Sequence, residues 1–253
     1  MLSPLDCNYL DAQRAFMGCS DRGEYVERGR VAIVSCGLAA EALNFGFLKP
    51  PYDGAPETAE RVRAYFAERK LPFRLAFRGA DRERCAPSLE AAGWRAQSDP
   101  TPGMTLALPA RAPAPPSELA IREVRTPEEL VGFREAAFAG FGLPVGVARL
   151  FLNERLHALP NVRLFAGRAG DETVATSMLV VTGDVAGIYW VATLEAHRGR
   201  GYGEAMTWAA AAAGQARGCS VASLQASKLG RPVYARMGFA HVLDYAFLHP
   251  PDA

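Results

Sequence analysis

From residue 119 onward the hydrophobic positions of this chain switch between two periods. Residues 119–124 alternate with period two and predict a strand. Thr126-Pro127-Glu128-Glu129 then supplies a capping hydroxyl, a proline at the first helical position and early acids, which together predict a helix start. A glycine-bounded break at 140–146 ends that helix, and 147–159 reads as a second one. Three apolar, β-branched runs follow at 162–167, 173–181 and 185–194, joined by Ala-Gly-Asp and Thr-Gly-Asp, so three strands with tight turns are expected. A helix over 203–217, a strand over 220–226, a short helix over 232–237 and a last strand over 239–248 complete this half.

The first half echoes the second. Pro87-Ser88-Leu89-Glu90-Ala91-Ala92-Gly93-Trp94 lines up with Pro232-Val233-Tyr234-Ala235-Arg236-Met237-Gly238-Phe239, and each follows an amphipathic helix and an apolar strand, here 57–70 and 72–77. A repeat of this length implies two copies of one supersecondary unit. The copies differ: Leu89 stands at the Tyr234 position, and Pro-Pro-Tyr-Asp-Gly-Ala-Pro at 50–56 stands where the second copy has an Arg/Gly loop. Between the copies, Pro-Ala-Arg-Ala-Pro-Ala-Pro-Pro-Ser at 109–117 can form neither helix nor ladder over its length. It predicts a domain at 1–110, an extended linker at 111–117 and a second domain at 118–253.

Composition narrows the partners. With 253 residues, 49% of them hydrophobic, the chain can bury one large core or two modest ones. A net charge of +1 with interspersed acids and bases argues against nucleic acid or an anionic membrane as a partner. Five scattered cysteines without a Cys-x-x-Cys pair fit free thiols in a reducing cytoplasm. Four histidines without ligand spacing predict no metal. Asp6 stands where a signal peptide needs an apolar core, and no long apolar span is present, so a soluble, cytoplasmic protein is expected.

The candidate chemistry lies at 187–203. An aromatic and β-branched strand breaks into Arg198-Gly199-Arg200-Gly201-Tyr202-Gly203 and then into an Ala-rich helix. The first N–H groups of a helix lack intrahelical partners and sit at the positive end of its dipole, so this turn suits an anion. Gly201 and Gly203 allow close approach to the backbone, and Arg198 and Arg200 add charge in fork geometry. A dinucleotide fingerprint would need a glycine in place of Glu204 and an acid near 225; a Walker loop would need Gly-Lys-Ser/Thr. Neither is present.

Arg198-x-x-Gly201-x-Gly203, followed one helix and one strand later by Tyr234-x-x-x-Gly238-Phe239, resembles the GNAT N-acetyltransferase superfamily. The resemblance covers roughly 118–249 and implies an α/β (α+β) fold. It implies two GNAT-like domains, each a mixed, mostly antiparallel sheet flanked by helices, with the N-terminal copy degenerate and shaping the acceptor pocket. Acetyl-CoA would be the co-substrate, and the acceptor a primary amine of a small molecule or peptide; a homodimer is allowed. Arg198, Gly199, Arg200, Gly201, Tyr202 and Gly203 would hold the diphosphate. The backbone of Val191, Ala192 and Thr193 would hold the pantetheine arm, with Ser227 where the family commonly has Asn. Tyr234 would be the general acid, because a phenol with an ordinary pKa near 10 stays protonated at neutral pH while a thiolate leaves.

The amine's base is not identified. Strand 188–193 has no carboxylate, and Glu195, Glu172, Asp184, Glu135, Glu154, a water chain or an amine that arrives neutral all remain open. Tyr189 and Trp190 are expected on opposite strand faces, one in the core and one at the acceptor slot. Gln225 reads as a strand-edge polar residue, Lys228 as a solvated cation and His197 as a loop residue in solvent. A non-catalytic acyl-CoA-binding module, or less directly a nucleotide-dependent oxidoreductase, is the competing reading.

Overall fold

A computed structural model describes residues 2–251, so the outermost positions of the two expected domains lie outside it. The first half runs α1 (Pro4–Gly18), β1 (Glu24–Arg28), β2 (Val31–Ser35), β3 (Phe45–Leu48), α2 (Ala55–Arg69), β4 (Arg74–Arg78), α3 (Arg82–Ala91), β5 (Arg95–Ala96) and β6 (Thr101–Ala107). The second runs β7 (Ala120–Glu123), α4 (Pro127–Gly140), α5 (Glu154–His157), β8 (Val162–Ala169), β9 (Glu172–Thr182), β10 (Val185–Thr193), α6 (Tyr202–Ala216), β11 (Val221–Gln225), α7 (Arg231–Arg236) and β12 (Ala240–His249).

All twelve strands join one sheet, in the order β1-β2-β3-β4-β12-β6-β11-β10-β9-β8-β7, with β5 on the end of β12. The sheet is mostly antiparallel; β3 with β4 and β10 with β11 are its parallel pairs. Its centre departs from a simple division at the linker. The final strand of each half leaves its own neighbours: β6 pairs with β11 of the second half, β12 pairs with β4 of the first, and the two pair with each other. The linker divides the chain but not the sheet. Residues 109–117 carry no helix or strand, and they lie along the outer side of α6, where the Ala110 N–H donates to the Gln215 side chain at 3.2 Å.

Alternation along the strands builds two faces. On one face a single core runs across both halves, taking Phe16 from α1, Phe47 from β3, Phe133 and Phe138 from α4, Tyr189 from β10 and Phe247 from β12. On the other, α2 and α3 cover Ile33, Leu75 and Leu248, while α6 and α7 cover Leu179, Ile188 and Leu224. Each fully buried Leu, Ile or Phe contributes ~1.5–3 kcal/mol relative to exposure. Continuous burial across the midline therefore ties the halves together.

Helix α1 begins at a reciprocal cap. The Ser3 hydroxyl accepts from the Asp6 N–H and the Asp6 carboxylate accepts from the Ser3 N–H, at 3.2 and 2.8 Å, with Pro4 at the first position. Although it belongs to the first half, α1 packs on strands β9 and β10 of the second. Buried Asn8 donates to the Val180 carbonyl at 2.9 Å and accepts from the Tyr189 hydroxyl at 2.7 Å. Gly187 makes room for it, since a Cβ there would fall 1.9 Å from Asn8 Oδ1.

One expected helix breaks up. Instead of a single helix over 147–159, a 3₁₀ segment Val145–Leu150 is followed by the one-turn α5. Asn153 causes the break: its Oδ1 caps the Leu156 N–H at 3.1 Å while its Nδ2 donates to the Cys19 carbonyl of the first half at 2.7 Å.

The two repeat segments end alike. The Trp94 N–H returns to the Leu89 carbonyl and the Phe239 N–H to the Tyr234 carbonyl, both at 3.0 Å, across Gly93 at φ +90° and Gly238 at φ +94°. Only glycine adopts that backbone without strain.

Candidate active site

The site is built where β10 and β11 part. Their parallel ladder covers Val185↔Val221, Ala186↔Ala222 and Gly187↔Ser223, after which β10 runs on to Thr193 without β11 as a partner. Its other edge is disturbed as well. Tyr189 pairs with Met178 and Ala192 with Thr176 of β9, so Trp190 and Val191 together oppose Ser177 in a β-bulge. Trp190 takes φ +50°, a left-handed conformation that costs a bulky residue ~1–3 kcal/mol. Its carbonyl accepts from the Thr176 hydroxyl at 2.8 Å, and its ring stacks on Phe138 at 5.2 Å.

The bulge changes which way two side chains point. Tyr189 and Trp190, expected on opposite faces, both pack on the α1/α4 side, and Phe16 meets each of them edge-on. Val191 packs on the α6 side. The added residue and the left-handed turn at Trp190 cancel the usual alternation.

Beyond Thr193 the chain enters the Arg/Gly turn. Gly201, at φ +79°, is the N-cap of α6, and the first intrahelical bond runs from the Ala205 N–H to the Gly201 carbonyl at 3.0 Å. The N–H groups of Tyr202, Gly203 and Glu204 therefore start the helix without intrahelical acceptors. Gly199 is also left-handed, and Gly199 and Arg200 are exposed. Arg198 also acts as a brace. Its Nε donates to the Thr193 carbonyl at 3.3 Å and its Nη2 to the Gly140 carbonyl at 3.0 Å, which fastens the turn to the ends of β10 and α4. Tyr202 turns inward and is 1% exposed, with a buried hydroxyl that lacks a partner, so this residue offers a ligand only its backbone. His197 is not out in solvent. It is half-buried, lies over the Tyr202 ring at 6.3 Å, and places Nε2 3.6 Å from Glu172.

Tyr234 reaches the same place from α7. Its ring is buried beside Phe239, and burial pushes its phenol up to about 12, an effect that a hydrogen bond with Thr207 partly opposes. Thr207 in turn donates to the Gly203 carbonyl at 2.8 Å. One hydroxyl on α6 thus connects the Arg/Gly turn to Tyr234, and the two sequence motifs meet.

The other candidates scatter. Ser227 is exposed, and its Oγ accepts from the Gly230 N–H at 3.1 Å within a local turn. Gln225 is not at a sheet edge, because β11 lies between β6 and β10; it sits beside the Tyr189 phenol, whose titration burial pushes well up. Glu195, Glu172, Asp184, Glu135 and Glu154 are all exposed: Glu172 faces His197, Asp184 holds the Ser220 hydroxyl and Glu154 lies 3.9 Å from Arg134. Among the described residues no His, Cys, Asp or Glu cluster is arranged for a metal, and the five cysteines are unpaired. No described helix is long and apolar enough to cross a membrane.

Sequence reasoning missed the part played by α1. Ser3-Pro4-Leu5-Asp6, a capping signature, was the available signal.

The site is thus a mixed sheet that opens beside a bulge, with a glycine-capped helix at the opening. Residues 131–239 match the model of the acetyltransferase (GNAT) family. No curated protein matches the chain in sequence. Among solved structures, the chain is similar to a GCN5-related N-acetyltransferase from Kribbella flavida (20% identity, 96% of this chain and 94% of that one, TM-score 0.68). It is also similar to a GCN5-related N-acetyltransferase from Sphaerobacter thermophilus (17% identity, 89% and 82%, TM-score 0.65). A tandem GNAT protein from the clavulanic acid biosynthesis pathway aligns at 13% identity over 98% and 96% of the two chains, with TM-score 0.63. At these identities the likeness is one of fold.

Proposed function

We propose that the second half transfers an acetyl group from acetyl-CoA to a primary amine of a small molecule or peptide. The observation that carries this reading is the convergence, at the parting of β10 and β11, of the Gly201-capped turn and the Tyr234 phenol through Thr207. Acetyl-CoA supplies the activated acyl group.

The chain's own residues then play distinct parts. N–H groups at Tyr202 to Glu204, with Arg200, hold the diphosphate at the positive end of α6. Backbone groups of Val191, Ala192 and Thr193, freed from β11, line the pantetheine arm, and one of their N–H groups can polarise the thioester carbonyl. Ser227, already engaged locally, has one lone pair to offer at the rim. As the amine nitrogen bonds to the carbonyl carbon and the C–S bond breaks, Tyr234 gives its proton to the sulfur, and the amine's proton leaves to water. With its phenol pushed up to about 12, Tyr234 stays protonated across the working range.

In this reading the first half is a copy that has lost the cradle. It closes the sheet and lends α1 to one wall of the site.

Calorimetry with acetyl-CoA and a thiol-release assay with amines test the proposal. Tyr234→Phe should keep coenzyme affinity and lose roughly 10- to 10³-fold in turnover. Equal turnover in the two proteins removes the acid role; binding without thiol release under any amine would make this a binding module instead.

A further inference from the structure

Beside the bulge, on the α1/α4 side, lies a pocket of about 240 Å³ whose walls include Phe16, Phe141, Phe151, Tyr189 and Trp190. Resting on the transfer reading above, we infer that this pocket seats the acceptor, and that the acceptor is an apolar arylamine, its amine attached to the ring, with no charged group.

Position comes first. Tyr189 and Trp190 directly precede Val191, Ala192 and Thr193, so a ring held against them brings its substituent to the strand segment proposed for the thioester arm. The pocket lies on the face of the sheet away from α6, so acceptor and diphosphate occupy opposite sides of the opening between β10 and β11.

Chemistry narrows the ligand. No charged side chain lines the pocket among its described residues. The Tyr189 hydroxyl is already committed to Asn8, which leaves the Gln13 amide and the Trp190 indole N–H as the polar side-chain groups in the wall. A polyamine, an amino sugar or an amino acid carboxylate would give up hydration here and find no counter-charge. A flat ring fits instead, since Phe16 and Phe141 meet Trp190 edge-on at 6.3 and 5.5 Å and present the offset geometry aromatic ligands prefer. A dry cavity of about 150 Å³ takes benzene, so the volume here suits a fused bicyclic ring or a phenyl ring with a short arm. The choice also answers the question of the base: an amine attached to an aromatic ring is neutral at neutral pH and needs none of the five carboxylates, which all lie exposed.

Binding separates this inference from catalysis. The full chain with coenzyme A bound is titrated calorimetrically with 2-aminonaphthalene and 4-ethylaniline, and with spermidine, glucosamine and lysine. The aromatic amines should bind about tenfold or more tighter than the polar ones. Phe141→Asp, at a side chain 49% exposed and so not needed for folding, should weaken aromatic amines about tenfold and leave acetyl-CoA affinity unchanged. Polar amines binding as tightly as aromatic ones would overturn the inference. So would an unchanged aromatic affinity in Phe141→Asp, or a loss confined to long-chain acyl-CoA, which would make the pocket an acyl-chain site. Failure to bind acetyl-CoA, read in a separate titration without amine, would overturn the transfer reading and the acceptor role together.

Discussion

Helices α2 and α6 are both fifteen residues long, and each starts at a left-handed glycine, Gly54 at φ +75° and Gly201 at φ +79°. What precedes them differs. Before α2, Arg30 donates to the Pro51 and Asp53 carbonyls at 3.1 Å, and buried Tyr52 donates to Asp81 at 2.9 Å, which leaves about 10 Å³ of free space. Before α6, Gly199 and Arg200 stay exposed and the first helical N–H groups are unclaimed. The strands differ in the same sense. β3 stops at Leu48, one residue past its last parallel pair, Phe47↔Ala76, whereas β10 continues to Thr193 and bulges at Trp190. At the far end, fully buried Leu89 fills the place of the Tyr234 phenol. The unit is therefore closed or open according to how far the strand before its glycine turn outruns its parallel partner, and according to which side chains fill the turn.

The comparison can be broken most sharply at the two glycines. Gly201→Val forces a β-branched residue into left-handed backbone, costing ~1–3 kcal/mol of stability, and should lower acetyl-CoA affinity on the order of 100-fold by spoiling the cradle. Gly54→Val should cost similar stability and no affinity. Calorimetry and urea unfolding read both, and equal affinity losses would erase the distinction between the halves.

A smaller effect concerns alkaline stability. Burial pushes Tyr9 in the first half and Tyr234 in the second from 10.0 up to about 12. Below pH 10 both phenols are protonated whether folded or not, so they add no pH dependence. Between pH 10 and about 12 the unfolded chain gives up these protons first, and folding stability falls by at most about 3 kcal/mol per phenol. Denaturation midpoints from pH 9 to 12 should show that decline, and Tyr9→Phe and Tyr234→Phe should each flatten it. A midpoint that holds steady through pH 12 would contradict the burial of both.

The smallest effect is expected at the closed turn. Tyr52→Phe removes one hydrogen bond to Asp81, which keeps Arg78 as a partner at 2.7 Å, so the loss is ~1 kcal/mol. Acetyl-CoA affinity should not move. Any gain in affinity would mean that the closed turn is a latent cradle.

Much of the second half was legible because local signals agree there. The Thr126 capping box, the two Gly-Asp turns and the Ala-rich helix all lie close to where pattern and propensity place them. The turn at 198–203 and the helix that carries Tyr234 were legible as local structure for the same reason. What escaped was set by distant partners. Asn153 breaks the expected helix by reaching Cys19 of the first half, and nothing local announces that bond. Trp190 adopts a conformation no tryptophan signals in sequence, so the expected alternation of Tyr189 and Trp190 failed at two residues that line the pocket beside the bulge. The exchange of β6 and β12 escaped because the strand read at 239–248 fits a place in its own half when taken alone, and the strand at Thr101–Ala107 was not read at all.

That exchange sets a timetable for biosynthesis. As the first half leaves the ribosome, the edge of β4 has no neighbour until the segment 240–249 has been translated, and β6 must wait for β11. Until then the nascent chain exposes two unpaired ladders.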